Sequence, residues 1–189
     1  MKTLPGVRAS ERGFTLIELL IVIAILGLLA SMLIPNLLDA MQKAKQKKTV
    51  ADMRIMGTAM FAWLTDQVGA AAAGADEVDN TVEMSNYQGS VKSVDQVRGL
   101  LMPRYVQEVP RLDGWKYSYE YYLNDAEPLS REVMMMRSRG VDNVADADQY
   151  QSASFLPTDY KQDIVWADGF FVRWPEGANI EAPPAEEGN

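Results

Sequence analysis

From Phe14 to Ile34 the chain reads FTLIELLIVIAILGLLASMLI, with Glu18 as its only charge. As an α-helix this stretch measures about 31 Å at 1.5 Å per residue, the thickness of one hydrocarbon core. Side chains of this kind must be covered by lipid or by other apolar helices, which rules out a fold that meets water on all sides. The run is also longer than the core of a secretory signal, about 7–15 residues, and no small-residue cleavage site closes it. The preceding MKTLPGVRASERG carries Lys2, Arg8 and Arg12 against Glu11, so it is expected on the cytoplasmic side. Hydropathy alone leaves a generic signal anchor open.

Glu18 sharpens the reading. A carboxylate near the start of an apolar run is costly in lipid and needs a proton or a positive partner. If the leader is removed, an amino terminus at Phe14 lies one helical turn away and supplies that charge. The same group on a neighbouring copy would serve equally, and a tolerated interfacial Glu is the plain alternative.

Gly13 followed by Phe14-Thr15-Leu16-Ile17-Glu18 resembles the prepilin motif of type IV pilins and type II secretion pseudopilins. The resemblance implies cleavage after Gly13 by a membrane peptidase that also methylates Phe14, and an assembly role for Glu18. Gly27 and Pro35 match the helix-loosening glycine and proline of that family, and a proline inside a helix removes one hydrogen bond. The stretch AMQKAKQKKTVADMRIMGTA and the later Leu-x-Pro-x-Tyr-Val resemble the major, G-type pseudopilins. The implied fold is α+β and pilin-like: a long, bent N-terminal helix whose first half spans a membrane, packed on a small antiparallel β-sheet head.

The remaining sequence fits that plan. Residues 35–67 are rich in helix formers, with Leu38, Met41, Met53, Met56, Met60, Trp63 and Leu64 recurring mainly at three- and four-residue steps, as on a partly amphipathic helix. One helix is expected from Thr15 to Asp66, bent near Pro35, its methionines serving as adaptable packing. Lys43, Lys45, Lys47 and Lys48 are either a solvated face or partners for acids on a neighbour. Glycines in 69–80 point to a loop, and Ser93–Leu101 to a short amphipathic helix, with Leu100, Leu101, Tyr105 and Val106 facing the core. Alternating aromatics from Trp115 to Tyr121 predict a strand with one buried face. A further short strand is expected over Glu132–Arg137, and a hairpin over Asp163–Trp174 turning at Asp168-Gly169. The expected organisation is a leader at 1–13, a membrane helix at 14–34, a head-packing helix at 35–67, a head at 68–174 and an acidic, disordered tail at 175–189.

Composition excludes several activities. With no cysteine and no histidine, there is no disulfide, no His-based triad and no Cys/His metal site. Twenty-six acidic against eighteen basic residues, net −8, argue against nucleic acid as a partner. No nucleophile sits beside a base, so no catalytic residue is assigned and no enzymatic activity is expected. Ser138-Arg139-Gly140-Val141-Asp142-Asn143 resembles the Ser-x-Gly-x-Asp-Gly of G-type pseudopilins. That implies a structural calcium with Asp142, Asp146 and Asp148 as candidate oxygen ligands. Asn143 departs from the pattern, and a plain solvated acidic loop is the preferred reading; no other cofactor is expected.

The expectation is therefore a structural subunit of a periplasmic secretion filament, single-pass in a bacterial inner membrane with its head in the periplasm. Implied partners are further copies of the chain, the prepilin peptidase, an inner-membrane assembly platform with its ATPase, minor pilins or pseudopilins, and lipid before assembly. A surface type IV pilus subunit is the second reading, although a chain without cysteine lacks the disulfide loop of many pilins. A monomeric membrane-anchored binding domain is the third; it predicts an uncut leader and a dispensable Glu18.

Overall fold

The computed structural model describes residues 13–68, 81–84, 91–125, 132–178 and 180. The leader before Gly13, the loop expected at 69–80 and most of the expected tail lie outside them. The chain divides into two units, Met1–Ala40 and Met41–Asn189.

Helix α1 runs Leu16–Val68 and contains Pro35. It holds an apolar window long enough to cross a membrane, with none of that window buried. In the first unit its large side chains, from Leu16 through Leu38, are exposed. Within the second unit one face is buried instead: Val50, Met53, Met56, Ala59, Met60 and Trp63. The expected three-to-four spacing is the spacing of burial from Met53 onward, whereas Leu38 and Met41, placed on the same stripe, are exposed.

Among the described residues the head contains two sheets. Strands β1 (Thr81–Glu83) and β5 (Gln149–Gln151) pair with each other. The larger sheet comprises β2 (Val91–Lys92), β3 (Glu120–Leu123), β4 (Met134–Ser138), β6 (Ala153–Phe155), β7 (Ile164–Ala167) and β8 (Phe170–Pro175). Its order is β2-β3-β4-β7-β8-β6. All its pairs are antiparallel except β6–β8, because residues 156–163 cross over β8 to reach β7, and parallel neighbours need such a crossover. Helix α2 (Val94–Leu101) begins at Ser93, whose hydroxyl accepts from Gln96 N while the Gln96 side chain accepts from Ser93 N, a capping box. Leu101 is fully buried, and Leu100, Tyr105 and Val106 pack at the core edge.

The sheet is covered on both faces. Tyr121, Leu123, Met134, Met136, Ile164 and Trp166 join the helical core, while Tyr122, Met135, Val165 and Val172 pack with Tyr150 of the smaller sheet and with Met84, just after β1. This explains three consecutive methionines in β4, all five of whose residues are buried: a central strand covered on both sides reads as a continuous apolar run. The expected hairpin is β7–β8, and Asp168 (φ 44°) and Gly169 (φ 108°) form its turn.

Two expectations are corrected. The strand predicted from Trp115 begins only at Glu120. Residues 113–117 form a loop in which Lys116 has φ 73°, and one Asp113 carboxylate oxygen accepts from Trp115 N and Tyr117 N, both at 2.9 Å. The other accepts from Ser138 Oγ at 2.7 Å. A buried carboxylate with three donors outweighs aromatic alternation. The beginning of the predicted disordered tail is also structured: Glu176 N donates to Phe155 O at 2.8 Å, and Ala178 and Ile180 pack against the core.

Candidate processing and assembly segment

Gly13, Phe14 and Thr15 are non-helical, and α1 starts directly after them. Thr15 N and Thr15 Oγ1 each donate to Glu18 Oε2 at 2.8 Å, and Glu18 N donates to Thr15 Oγ1 at 3.2 Å. Thr15-x-x-Glu18 is therefore a capping box for the membrane-length helix, satisfying amides that a helix start leaves open. Sequence reasoning treated Glu18 only as a charge; the S/T-x-x-E spacing was the missed signal. The cap turns the carboxylate back towards the Phe14–Thr15 peptide, one residue from the nitrogen that cleavage would expose.

Gly27 has open space around it. At Pro35, which supplies no N–H, nearby carbonyls have side-chain donors: Ser31 Oγ to Leu28 O at 2.7 Å and Asn36 Nδ2 to Met32 O at 3.4 Å.

The acidic loop is organised differently from the calcium expectation. Asp142 Oδ1 accepts from Val144 N at 3.2 Å. Asp146 exchanges bonds with Asp163: Asp163 N donates to Asp146 Oδ2 at 2.6 Å and Asp146 N to Asp163 Oδ2 at 3.1 Å. Asp148 adjoins β5, its carbonyl accepting from Met84 N at 2.8 Å. Among the described residues no three acidic side chains gather to hold a metal ion, so Asp142, Asp146 and Asp148 do not form a ligand set. The carboxylate at the centre is Asp163, fully buried, which sequence reading had placed only at a hairpin start. Tyr150 Oη donates to it and Arg137 Nη1 donates to Tyr150 Oη at 3.1 Å. Glu120 pairs with Arg137 at 2.5 Å and also with Arg139.

Burial pushes Asp163 up to about 6, against the lowering effects of the Tyr150 and Asp146 bonds, and among the described residues its Oδ1 has no hydrogen-bond partner. A carboxyl whose folded value is raised stabilises the fold when protonated and loses that contribution as pH rises through the folded value. Asp163→Asn is therefore expected to gain stability relative to the parent as pH rises from 3.8 through about 6. Paired thermal melts across that window check the sign.

The family model "Prokaryotic N-terminal methylation motif" matches residues 8–34. Type II secretion system core protein G of Vibrio cholerae is 31% identical over 116 residues, covering 59% of this chain and 70% of that protein. The Aeromonas hydrophila core protein G is 30% identical over 116 residues, covering 58% and 71%. The Klebsiella michiganensis core protein G is 42% identical over 59 residues, a match that spans 31% of this chain and 42% of that protein. No solved structure matches the chain. A capped, lipid-length helix bearing the methylation motif, a small sheet head and the Vibrio and Aeromonas relatives covered over more than two thirds of their length lead to one conclusion: the chain belongs to the family of type II secretion system core protein G, the major pseudopilins, which are structural and non-catalytic.

Proposed function

We propose that the chain is made as a precursor, cut between Gly13 and Phe14 and methylated on Phe14, and that its copies then stack into a periplasmic filament for type II protein secretion. The observation that carries this reading is the Thr15–Glu18 cap, with both donors at 2.8 Å from Glu18 Oε2, at the head of an apolar helix whose side chains are exposed. Such a surface needs lipid before assembly and neighbouring helices after it. Before assembly the chain is a single-pass inner-membrane protein with its head in the periplasm. Its partners are then further copies of itself, the prepilin peptidase, the assembly platform with its ATPase, and minor pseudopilins. Gly27 and Pro35 loosen α1 as it leaves lipid, since glycine and proline are the residues that least favour a helix interior.

Peptide mass spectrometry of the membrane fraction, and of filaments sheared from the cell surface, tests the proposal. The expected result is a chain beginning at methylated Phe14, retained with the membranes and absent from sheared material. Abundant processed chain in the sheared fraction would assign it to a surface pilus, and an intact leader would overturn processing altogether.

A further inference from the structure

The lysines beyond the apolar run have no role in the function described so far. Lys43, Lys45, Lys47 and Lys48 fall between Gln42 and Thr49 with no acid among them, in a chain of net charge −8; Lys48 Nζ pairs with Asp52 one turn further on, at 2.6 Å. At 100° per residue they spread over roughly 200° of the helix circumference, leaving clear the face on which Gln46, Thr49 and Val50 are buried. They form a collar. A stripe of lysines would suit the flank of one neighbouring protein, whereas a collar suits a charged plane that the helix crosses.

The loop between Leu112 and Ser118 lies against the same stretch of α1. Trp115 Nε1 donates to Gln42 Oε1 at 2.7 Å, Gly114 N to Thr49 Oγ1 at 2.9 Å and Lys48 Nζ to Leu112 O at 3.5 Å. It brings the exposed Lys116 and two exposed apolar side chains, Leu112 (46%) and Tyr117 (36%). Within the same unit the exposed Met41 lies just before the first of these lysines. Lysines beside an amphipathic aromatic ring match the composition of a lipid–water interface.

We propose that this collar and loop form a docking surface for anionic phospholipid headgroups, on which the head rests before the subunit leaves the membrane. The proposal rests on the membrane-anchored reading above. Attraction of this kind adds over the lysines and weakens with salt.

The chain has no cysteine of its own, so Leu112→Cys in the full chain takes a single fluorescent label. The labelled protein is placed in phosphatidylcholine vesicles with or without phosphatidylglycerol and quenched with acrylamide, a neutral probe. Phosphatidylglycerol is expected to lower quenching severalfold, with salt or the double change Lys43→Gln/Lys47→Gln restoring it. A label at Val144→Cys, exposed and distant in sequence from the collar, should not respond. Equal quenching in the two vesicles overturns the proposal. Protection that follows protein-to-lipid ratio instead of lipid composition also overturns it, and assigns the surface to a second copy. Vesicle flotation separates the two readings: a chain that floats without protection retains its anchor and loses only the headgroup contact, while one that fails to float loses both.

Discussion

Replacing Glu18 with Ala is expected to abolish incorporation into filaments while cleavage after Gly13 continues. The side chain has two separable duties. Within one chain it caps α1 through Thr15, and loss of one helix cap is too little to unfold a helix held by lipid or neighbours. Between chains, under the proposed assembly, it meets the positive amino terminus of a neighbour inside an apolar core. Removing one partner of such a pair leaves the other charge alone in an apolar surrounding, a large cost. Glu18→Gln separates the duties, since its amide oxygen still accepts from Thr15 but carries no charge. Both variants should accumulate in the membrane fraction, processed and unassembled. If Glu18→Gln entered filaments as the parent does, capping alone would explain the residue and the ion-pair role would be withdrawn.

What could be read from the residues follows how local each determinant is. The apolar run, the short helix beginning at Ser93, the Asp168-Gly169 turn and the Met53, Met56 and Met60 spacing of α1 each depend on a few consecutive residues, and each appears where expected. The late start of β3 was hidden because Asp113 fixes that loop together with Ser138, a partner twenty-five residues away. Arg137 was equally hidden: it ends an apolar run but is buried by Glu120 across the strand pair and Tyr150 from the smaller sheet. Asp163 became the buried carboxylate through packing that no spacing rule encodes. Of the segment at the start of α1, the motif residues were legible and the Thr15 cap was overlooked although its pattern is local. In the acidic loop the three aspartates were legible as a group, but the side chains of Asp142 and Asp146 engage backbone amides rather than one another.

Gly114→Ala and Gly99→Ala are the same chemical change and should have opposite effects. A Cβ on Gly114 would fall well inside van der Waals distance of the Lys45 carbonyl oxygen and its neighbouring backbone atoms. Backbone cannot swing aside as a flexible side chain does, so the 112–118 loop must lift from α1, straining the Gly114–Thr49 and Trp115–Gln42 hydrogen bonds. Overpacking of this kind costs about 1–3 kcal/mol, and a domain of this size loses about 2–4 °C of Tm per kcal/mol. Gly99 lies in α2 with open space around it, and alanine there should add about 0.5–1 kcal/mol through helix propensity. Thermal melts of the full chain in detergent, followed by tryptophan fluorescence, read both changes. Because the loop holds Leu112, Lys116 and Tyr117 beside the lysine collar, Gly114→Ala should also displace that surface while leaving the Thr15–Glu18 cap untouched. A Gly114→Ala chain as stable as the parent would mean that the loop does not seat on α1 as described.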